Sequence, residues 1–503
     1  MSTLDEWLAA EARYATQTML DAISATRLVM ERPGFGQRVI PRPGSILASP
    51  VPAHYDPDPD YFFHWFRDAA IVIEALRVAL IMGYAERSAF VRFREFVHFS
   101  HALHSLSGQQ FLRHSDFRTR VRPDFLQYLR PDDEIAALSG EIVLADVRVN
   151  ADGTPDFIRW SRPQTDGPAL RATALLRWRQ EFPALCQDDV LGAAFTEVIS
   201  ADLAFVLTYV RKPSRDLWEE ESGCHYYTQL VQAETLLRGA GWLEEAGQPP
   251  RAQACRVAAA EALSGLDRFW SDSDGFYRSR TAADSATAHR DPDIAVVLAV
   301  LHAARAGDRH SVLDPKVQAT LTALEEFFEA EFAVNRGRPA GRGPAMGRYP
   351  NDRYYGGGAW YLATLAAAEF YFTLAAALAG GAHMPVTPEN LRFRQRLGAA
   401  ASAGAAGAAG AAGAAGAAGA APGATEPTQL ALERGDAIMR TVQAFTPQGG
   451  ELSEQFDRTS GAQISAKHLS WSYAAFITAA AARARACHSM KAARRATNPA
   501  GSV

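Results

Sequence analysis

The chain has 503 residues, of which 48% are hydrophobic and 10% aromatic, so it can bury a large core and disorder is excluded for most of its length. Its 51 Lys and Arg residues against 56 Asp and Glu give a net charge of -5 without any basic stripe, so we expect no nucleic-acid partner. The four cysteines have neither zinc nor C-x-x-C spacing, which fits a reducing cytoplasm.

The first 30 residues carry charges every few positions and lack the basic start and apolar centre of a secretory signal. We therefore expect a cytoplasmic protein. Charge-poor segments at 354–368 and 370–388 are interrupted by Gly, Pro or Thr and separated by Glu369, so we expect no membrane span. We also expect a monomer.

Apolar periodicity and capping residues predict about twelve helices. In chain order they lie near residues 4–30, 67–83, 86–106, 168–182, 190–210, 224–240, 249–270, 293–306, 315–334, 358–379, 427–446 and 466–485. Strand signals are sparse, and only residues 140–150, followed by Ala151-Asp152-Gly153, indicate a strand that runs into a turn.

The predicted helices alternate in character along the chain. The ninth is amphipathic, since Val317, Leu321 and Phe328 form one apolar stripe opposite Glu325. The eighth, tenth and twelfth are apolar nearly all round, as helices buried on every side must be. This alternation predicts an all-α fold, an (α/α)6 barrel of six inner and six outer helices, although the second and fourth helices fit the pattern less cleanly.

The pattern predicts a single domain over residues 1–490, interrupted by a flexible Gly/Ala linker at 398–425. That segment repeats Gly-Ala-Ala, and each glycine in a helix costs about 1 kcal/mol relative to alanine, so a linker is favoured. Residues 491–503 are expected to form a disordered tail.

Five segments between the predicted helices are unusually rich in Trp, Arg, Asp and Glu. They are residues 61–68, 160–168, 216–223, 347–360 and 452–457. Each precedes an even-numbered helix, and on a barrel of antiparallel helices such connections all lie at one rim. Carboxylates interleaved with tryptophans suit sugars, which offer an apolar face for stacking and hydroxyls for charged hydrogen-bonding groups.

Other chemistries are less well supported by the motifs. His98, His101 and His104 share a helical face but bring no metal-binding signature, so we expect no metal and no cofactor. No nucleophile elbow and no phosphate-binding loop is present. Splitting a glycosidic bond needs two carboxyl groups, and the candidates are 219–221 on one loop and Glu454 on another. Alone, the Trp-Glu-Glu sequence is more often a solvated helix start.

Five motifs together favour a catalytic pair of carboxyl groups over a solvated helix start. In chain order they read W-S-R-P-Q-T-D-G-P-A-L-R-A-T, D-L-W-E-E, G-R-Y-P-N-D-R-Y-Y, S-E-Q-F-D and L-S-W-S-Y-A-A. Their order and separation resemble the catalytic domain of glucoamylases, glycoside hydrolase family fifteen, from about Tyr61 to Arg483. The family fold is an (α/α)6 barrel, which agrees with the helix count.

The resemblance implies an inverting, exo-acting glucan 1,4-alpha-glucosidase that releases β-D-glucose from the non-reducing ends of α-1,4-glucans. It places the general acid on Glu219 and the general base on Glu454, and an inverting pair stands roughly 6.5–9.5 Å apart. It assigns the binding of substrate to twelve further residues. They are Tyr61, Trp65, Arg67, Asp68, Trp160, Leu217, Trp218, Glu220, Arg348, Tyr354, Trp360 and Trp471.

Three departures from the family leave alternatives open. They are Glu221 in place of an apolar residue, Thr165, and the loop Gly356–Gly358, which leaves linkage preference undecided. One alternative is a relative that acts on trehalose, isomaltose or dextran ends. The other is a catalytically inactive glycan-binding regulatory module, which the presence of both Glu219 and Glu454 disfavours.

Overall fold

The computed structural model describes residues 3–187, 189–281, 290–398 and 425–497. In this part of the chain, twelve helices have nine residues or more. They are α1 (Leu4–Ala22), α2 (Phe66–Ile81), α3 (Phe90–Ala102), α4 (Asp166–Glu181), α5 (Asp189–Tyr209), α6 (Tyr226–Glu245), α7 (Pro249–Ser264), α8 (Ala295–Ala303), α9 (Pro315–Glu331), α10 (Tyr361–Ala379), α11 (Thr425–Phe445) and α12 (Ser470–Thr497). Each overlaps one of the twelve predicted helices, although α1 ends at Ala22 and not near residue 30 as predicted.

Strands are short and lie between the helices. They are β1 (Met30–Arg32), β2 (Gln37–Val39), β3 (His64–Trp65), β4 (Arg148–Val149), β5 (Ser214–Arg215), β6 (Ser222–Gly223), β7 (Trp270–Ser271), β8 (Phe276–Tyr277), β9 (Ala359–Trp360), β10 (Gln455–Phe456) and β11 (Gln463–Ile464). All pair antiparallel, as β1–β2, β3–β4, β5–β6, β7–β8 and the three-stranded order β11–β10–β9.

The chain divides into two compact units. Unit 1 comprises Met1–Ala12, Arg268–Ile464 and Ala475–Val503, and unit 2 comprises Arg13–Asp267 and Ser465–Ala474. The single domain expected over residues 1–490 stays a prediction.

In unit 2, helix α4 packs between α2 and α6. Both α2 and α4, which fitted the inner pattern least well, are largely buried from Phe66 and Asp166 onward. Gly167 allows this close approach, because a Cβ there would lie 2.6 Å from the Cβ of Phe66. Helix α4 is buried despite its arginines, because Arg171 forms a bidentate ion pair with the buried Asp202 of α5 at 2.9 and 2.7 Å.

In unit 1, α10 packs against α8 and α11. Helix α9 begins at the expected cap, since the Asp314 side chain accepts from the N–H of Lys316 at 2.9 Å and Pro315 takes the first position. The stripe of Val317, Leu321 and Phe328 is buried as predicted, but Glu325, expected on the opposite and outer face, is fully buried as well.

Two sequence predictions need correction. The strand predicted at residues 140–150 is wrong in its first half, because Glu141–Leu144 is a helical turn and only Arg148–Val149 pairs as a strand. The tail expected to be disordered from residue 491 remains helical through Thr497. Most of the predicted Gly/Ala linker, residues 399–424, lies outside the described residues.

Two helices are long and apolar enough to span a membrane by length and composition, Val190–Tyr209 and Tyr361–Ala379. In the most apolar 18-residue stretch of each helix, 50% of the residues are buried in the first and 67% in the second. Core helices of soluble proteins pass the same test, so these two are weak evidence for a membrane span.

Candidate active site

The predicted general acid, Glu219, lies at the tip of a tight hairpin. Strands β5 and β6 pair Ser214 with Gly223 and leave the connection from Asp216 to Glu221 between them. The Asp216 carbonyl accepts from the N–H of Glu219 at 3.0 Å. Its carboxylate accepts from the N–H groups of Glu220 at 2.7 Å and Glu221 at 2.8 Å. Asp216 therefore fixes the backbone of all three glutamates.

This hairpin holds Glu219 in the left-handed region, with a φ of 65°. A residue with a Cβ pays roughly 1–2 kcal/mol for that conformation. Such strain persists only where the surroundings overdetermine it, and it clusters at functional sites. The backbone geometry thus sets Glu219 apart from its two neighbours.

Three N–H donors surround the Glu219 carboxylate, whose side chain is 11% exposed. Oε1 accepts from the indole of Trp65 at 2.9 Å and from Nη2 of Arg67 at 2.8 Å. Oε2 accepts from the indole of Trp160. Four of the residues that the sequence assigned to the site are therefore in direct contact.

Two buried carboxylates and one tryptophan ring surround the Arg67 guanidinium. Its Nη1 lies 3.3 Å from Asp166, its Nε lies 3.6 Å from Asp68, and its guanidinium is 5.5 Å from the ring centre of Trp471. In the described residues, Arg67 Nε, Asp68 Oδ2 and Asp166 Oδ1 have no hydrogen-bond partner. Buried polar atoms normally find partners, so this cluster is suited to bind the hydroxyl groups of a ligand.

Aromatic rings form a wall beside Glu219. The ring centres of Tyr61 and Trp65 are 5.2 Å apart, and those of Trp65 and Trp160 are 6.1 Å apart. Beneath them the buried guanidinium of Arg148 lies 4.6 Å from the Trp65 ring and 3.9 Å from the Trp160 ring. Arg148 is held in turn by Asp156 at 2.9 Å, so it fixes both indoles that bond to Glu219.

The remaining residues of the hairpin are placed differently. Leu217 is buried, and Trp218 and Glu220 are half-buried. Glu221 is also half-buried, with one shielded carboxylate oxygen. Thr165 has a structural role, because its hydroxyl and its carbonyl each accept from Gln232 at 3.1 Å.

Burial raises the pKa of Asp68 from 3.8 to about 6, with Arg67 opposing this shift and the neighbouring Glu219 and Asp166 adding to it. Burial and the same acidic surroundings raise the pKa of the Tyr227 hydroxyl well above its usual value. A bound polyol would therefore meet a carboxylate at Asp68 above this pKa, whereas the Tyr227 hydroxyl remains protonated at neutral pH.

The raised pKa of Asp68 predicts a gain in stability on its replacement. Since the folded state binds the proton more tightly, the unfavourable contribution is absent below pH 4 and grows as pH rises through about 6. We expect Asp68→Asn to raise the free energy of unfolding by about 1–3 kcal/mol at pH 7 and by much less at pH 4. Denaturant titrations at both pH values measure this difference, and an equal effect at both would contradict the origin in ionisation.

The predicted general base, Glu454, lies in unit 1 and is 3% exposed. Its carbonyl accepts from the N–H of Tyr361 at 3.2 Å, directly before β10 pairs with β9. The Gln455 side chain adds a second tie to the same loop, because it accepts from the N–H of Gly358 at 2.9 Å and donates to the carbonyl of Tyr354 at 3.2 Å. Hydrogen bonds at Glu454 and Gln455 thus hold the backbone that carries the Glu454 side chain.

Arg348 is buried in the same unit and forms a bidentate ion pair with Asp352 at 2.7 and 2.6 Å. Its guanidinium lies 5.2 Å from the Tyr354 ring and 4.9 Å from the Trp360 ring. The glycine run turns tightly here, since Gly357 has a φ of 64° and a Cβ would lie 2.0 Å from the Asp352 carbonyl oxygen.

The structure therefore gathers the predicted residues into two groups. Unit 2 holds Tyr61, Trp65, Arg67, Asp68, Trp160, Leu217, Trp218, Glu219, Glu220 and Trp471, and unit 1 holds Arg348, Tyr354, Trp360 and Glu454. The roles given to them stay predictions. Sequence reasoning missed Arg148, Asp166 and Asp352. Asp166 and Asp352 stand inside quoted motifs, whereas no motif signalled Arg148.

The histidines considered for a metal have other contacts. His101 lies 2.6 Å from Glu197 and its ring is 5.7 Å from that of His104. Within the described ranges, no group of three or more His, Cys, Asp or Glu side chains could hold a metal ion.

Comparison with known families assigns the chain to a class of protein. Residues 148–481, more than half of the chain, match the glycosyl hydrolases family 15. The chain belongs to this family. The predicted enzyme class, a glycoside hydrolase of the glucan 1,4-alpha-glucosidase (glucoamylase) type, is thereby confirmed.

Particular relatives agree with that class. Glucoamylase 1 of Rhizopus oryzae is 26% identical over 89% of this chain and 69% of its own length, and a glucoamylase of Neurospora crassa is 28% identical over 88% and 63%. An intracellular, sporulation-specific glucoamylase of Saccharomyces cerevisiae is 24% identical over 94% and 83%.

Solved structures agree in fold. The family 15 glucoamylase of Hypocrea jecorina matches with a TM-score of 0.74 and 26% identity over 96% of this chain and 72% of that one. Glucoamylase from Saccharomycopsis fibuligera matches in fold with a TM-score of 0.76 at 21% identity, over 97% and 96% of the two chains. The (α/α)6 barrel class predicted from the helix pattern is confirmed by these likenesses.

Proposed function

We propose that the chain is an exo-acting, inverting hydrolase that releases β-D-glucose from the non-reducing ends of α-1,4-glucans. The observation that carries the proposal is the enclosure of Glu219 by Trp65, Arg67 and Trp160. A carboxyl group fixed between aromatic rings and a buried arginine is suited to act on a sugar held against those rings. The relatives named glucoamylases support the same substrate class.

In this mechanism Glu219 is the general acid and Glu454 the general base. Glu219 gives its proton to the glycosidic oxygen as the bond from that oxygen to C1 breaks. Glu454 takes a proton from a water molecule whose oxygen attacks C1 from the opposite face. The electron pair of the broken bond stays on the leaving oxygen, and attack from the opposite face turns an α linkage into β-glucose.

In this proposal Arg67 has a different partner in each state of the enzyme. It bonds to Glu219 in the free enzyme and to sugar hydroxyls in the complex with substrate. Oε1 of Glu219 accepts from both Trp65 and Arg67, whereas Oε2 accepts from Trp160 and keeps a second lone pair that can carry a proton. Sugar hydroxyls are alternative partners for the Arg67 guanidinium, whose Nε has no hydrogen-bond partner among the described residues. We infer that sugar hydroxyls compete with Glu219 for Arg67 when substrate binds, so that Arg67 holds the sugar beside the Glu219 carboxyl group.

Substrate profiling tests the proposal against its alternatives. The protein is incubated with maltotriose, trehalose and isomaltose, and released glucose is measured. The proposal predicts glucose from maltotriose at a rate well above the other two. Faster release from trehalose or isomaltose would indicate the alternative linkage, and no glucose from any of them would indicate an inactive glycan-binding module.

A further inference from the structure

The guanidinium of Arg148 lies against aromatic rings and makes few hydrogen bonds. The side chain is fully buried, and its Nη1 and Nη2 have no hydrogen-bond partner among the described residues. Three ring centres lie near its central carbon, at 4.0 Å for Phe63, 4.6 Å for Trp65 and 3.9 Å for Trp160. A cation within about 6 Å of a ring centre is attracted to the ring face. The rings are therefore the main partners of this charge, although buried guanidinium nitrogens normally bind acceptors.

The buried carboxylates near Arg148 do not balance its charge fully. A chain of ion pairs with distances of 2.9, 3.0, 2.5, 2.8 and 3.4 Å joins, in this order, Arg148, Asp156, Arg162, Asp146, Arg130 and Glu134. Glu134 is 56% exposed, so the buried part holds three guanidiniums and two carboxylates. On the far face of the Phe63 ring, Arg32 lies 4.0 Å away and is paired with Asp60. One positive charge thus remains in excess beside the rings.

The two indoles connect this charge to the candidate acid. Trp65 donates to Oε1 of Glu219, and Trp160 donates to Oε2. A cation against the face of an indole draws electron density from the ring, which makes the ring N–H a stronger donor. When Glu219 gives up its proton it becomes a carboxylate, and donors already directed at it stabilise that charge as it develops in the transition state.

We propose that Arg148 is a positioning residue for the general acid, which orients the indoles of Trp65 and Trp160 and strengthens their hydrogen bonds to the Glu219 carboxylate. The proposal rests on the function proposed above, since it takes Glu219 to be the acid. Because Arg148 is fully buried, its charge acts through the indoles and not by contact with substrate. It therefore affects kcat more than KM.

Titration of the indole N–H groups by ¹⁵N NMR tests the proposal without substrate. The chain has nine tryptophans, and the resonances of Trp65 and Trp160 are the two whose pH dependence is lost in Glu219→Gln. We expect Arg148→Met to move the midpoint of their titration to higher pH by about 0.5–1 unit, because loss of a positive charge disfavours the carboxylate. Asp156→Asn should move it to lower pH, since it removes the carboxylate that offsets Arg148.

Rates with maltotriose provide the second measurement. Arg148→Met should lower kcat by about tenfold or more and change KM by less than about threefold. Arg148→Lys keeps the charge, so it should recover most of the loss in kcat and return the NMR midpoint toward that of the parent. Arg122→Met is the matched control. Arg122 also lies over a ring, 5.2 Å from the centre of Phe125, and pairs with Asp124 at 2.7 Å, but it is 59% exposed, and we expect neither measurement to change.

Opposite shifts of the midpoint in Arg148→Met and Asp156→Asn are the expected result. Shifts of the same sign, no shift in either variant, or an equal shift in Arg122→Met would overturn the role given to the charge. Asp156→Asn decides alone if Arg148→Met does not fold, since a midpoint that fails to move to lower pH contradicts the proposal. A parent protein that releases no glucose would contradict the proposed function, and the titration would still decide whether Arg148 acts on the Glu219 carboxyl group.

Discussion

Replacing Glu219 by Gln should lower kcat for maltotriose by about 10²–10⁴-fold. The amide has no acidic proton to give to the glycosidic oxygen. It also places an NH2 group among three N–H donors, from Trp65, Arg67 and Trp160, where the carboxylate accepted from all of them. Initial rates of glucose release, measured on folded protein, give the change directly.

Glu221→Gln is the matched control for that change. It alters the same chemical group two residues further along the same turn, where Asp216 holds the backbone N–H at 2.8 Å. We expect kcat to stay within about threefold, because Glu221 is given no part in the proton transfers. Equal losses in the two variants would overturn the assignment of the acid.

Replacing Glu325 by Ala should destabilise the protein by about 3–5 kcal/mol, the range for removing one partner of a buried ion pair. Glu325 is fully buried and accepts from Arg396 at 3.0 Å, Arg434 at 2.7 Å and the Tyr371 hydroxyl at 3.0 Å. Arg396 precedes the predicted linker in the chain and Arg434 follows it, so one carboxylate joins a segment before the linker to helix α11 after it. The midpoint of denaturation, followed by circular dichroism, measures the loss.

Glu326→Ala is the control for this loss. Glu326 follows Glu325 in the same helix, and its side chain is 32% exposed and pairs with the exposed Arg392. Surface ion pairs contribute about 0–1 kcal/mol, so we expect a small change. Similar losses from both substitutions would contradict the view that burial, rather than pairing alone, makes Glu325 important.

The helices were predictable because their signal is local and repeated. In α9, Asp314, Pro315 and the stripe from Val317 to Phe328 define the start and the buried face within one segment. The error at residues 140–150 has the opposite cause. Ile142 to Leu144 are apolar and β-prone, yet they form a helical turn, and tertiary packing settles such short segments.

The site was predictable to the extent that its residues stand in motifs. Glu219 and Glu454 came from the resemblance, and no periodicity could have singled them out. Arg148 could not be found, because its function depends on Trp65 and Trp160, which approach it only after folding. The positive φ of Glu219 was equally hidden, since nothing in the residue type predicts a left-handed glutamate.

The clustering of buried charged side chains around Arg67 is the feature that the sequence predicted least. Arg67, Asp68, Asp166 and Glu219 are close together with little exposure to solvent, and several of their polar atoms lack partners in the described residues. Such an arrangement is unfavourable for folding and favourable for binding hydroxyl groups. The expected gain in stability of Asp68→Asn at neutral pH follows from this.

The anomeric form of the first glucose released shows whether hydrolysis inverts the configuration at C1. Maltotriose is hydrolysed in an NMR tube, and the anomeric protons of free glucose are followed before mutarotation equilibrates them. We expect β-glucose to appear first, because water activated by Glu454 attacks opposite the leaving group protonated by Glu219. Early appearance of α-glucose would contradict the inverting mechanism and the roles given to both carboxyl groups.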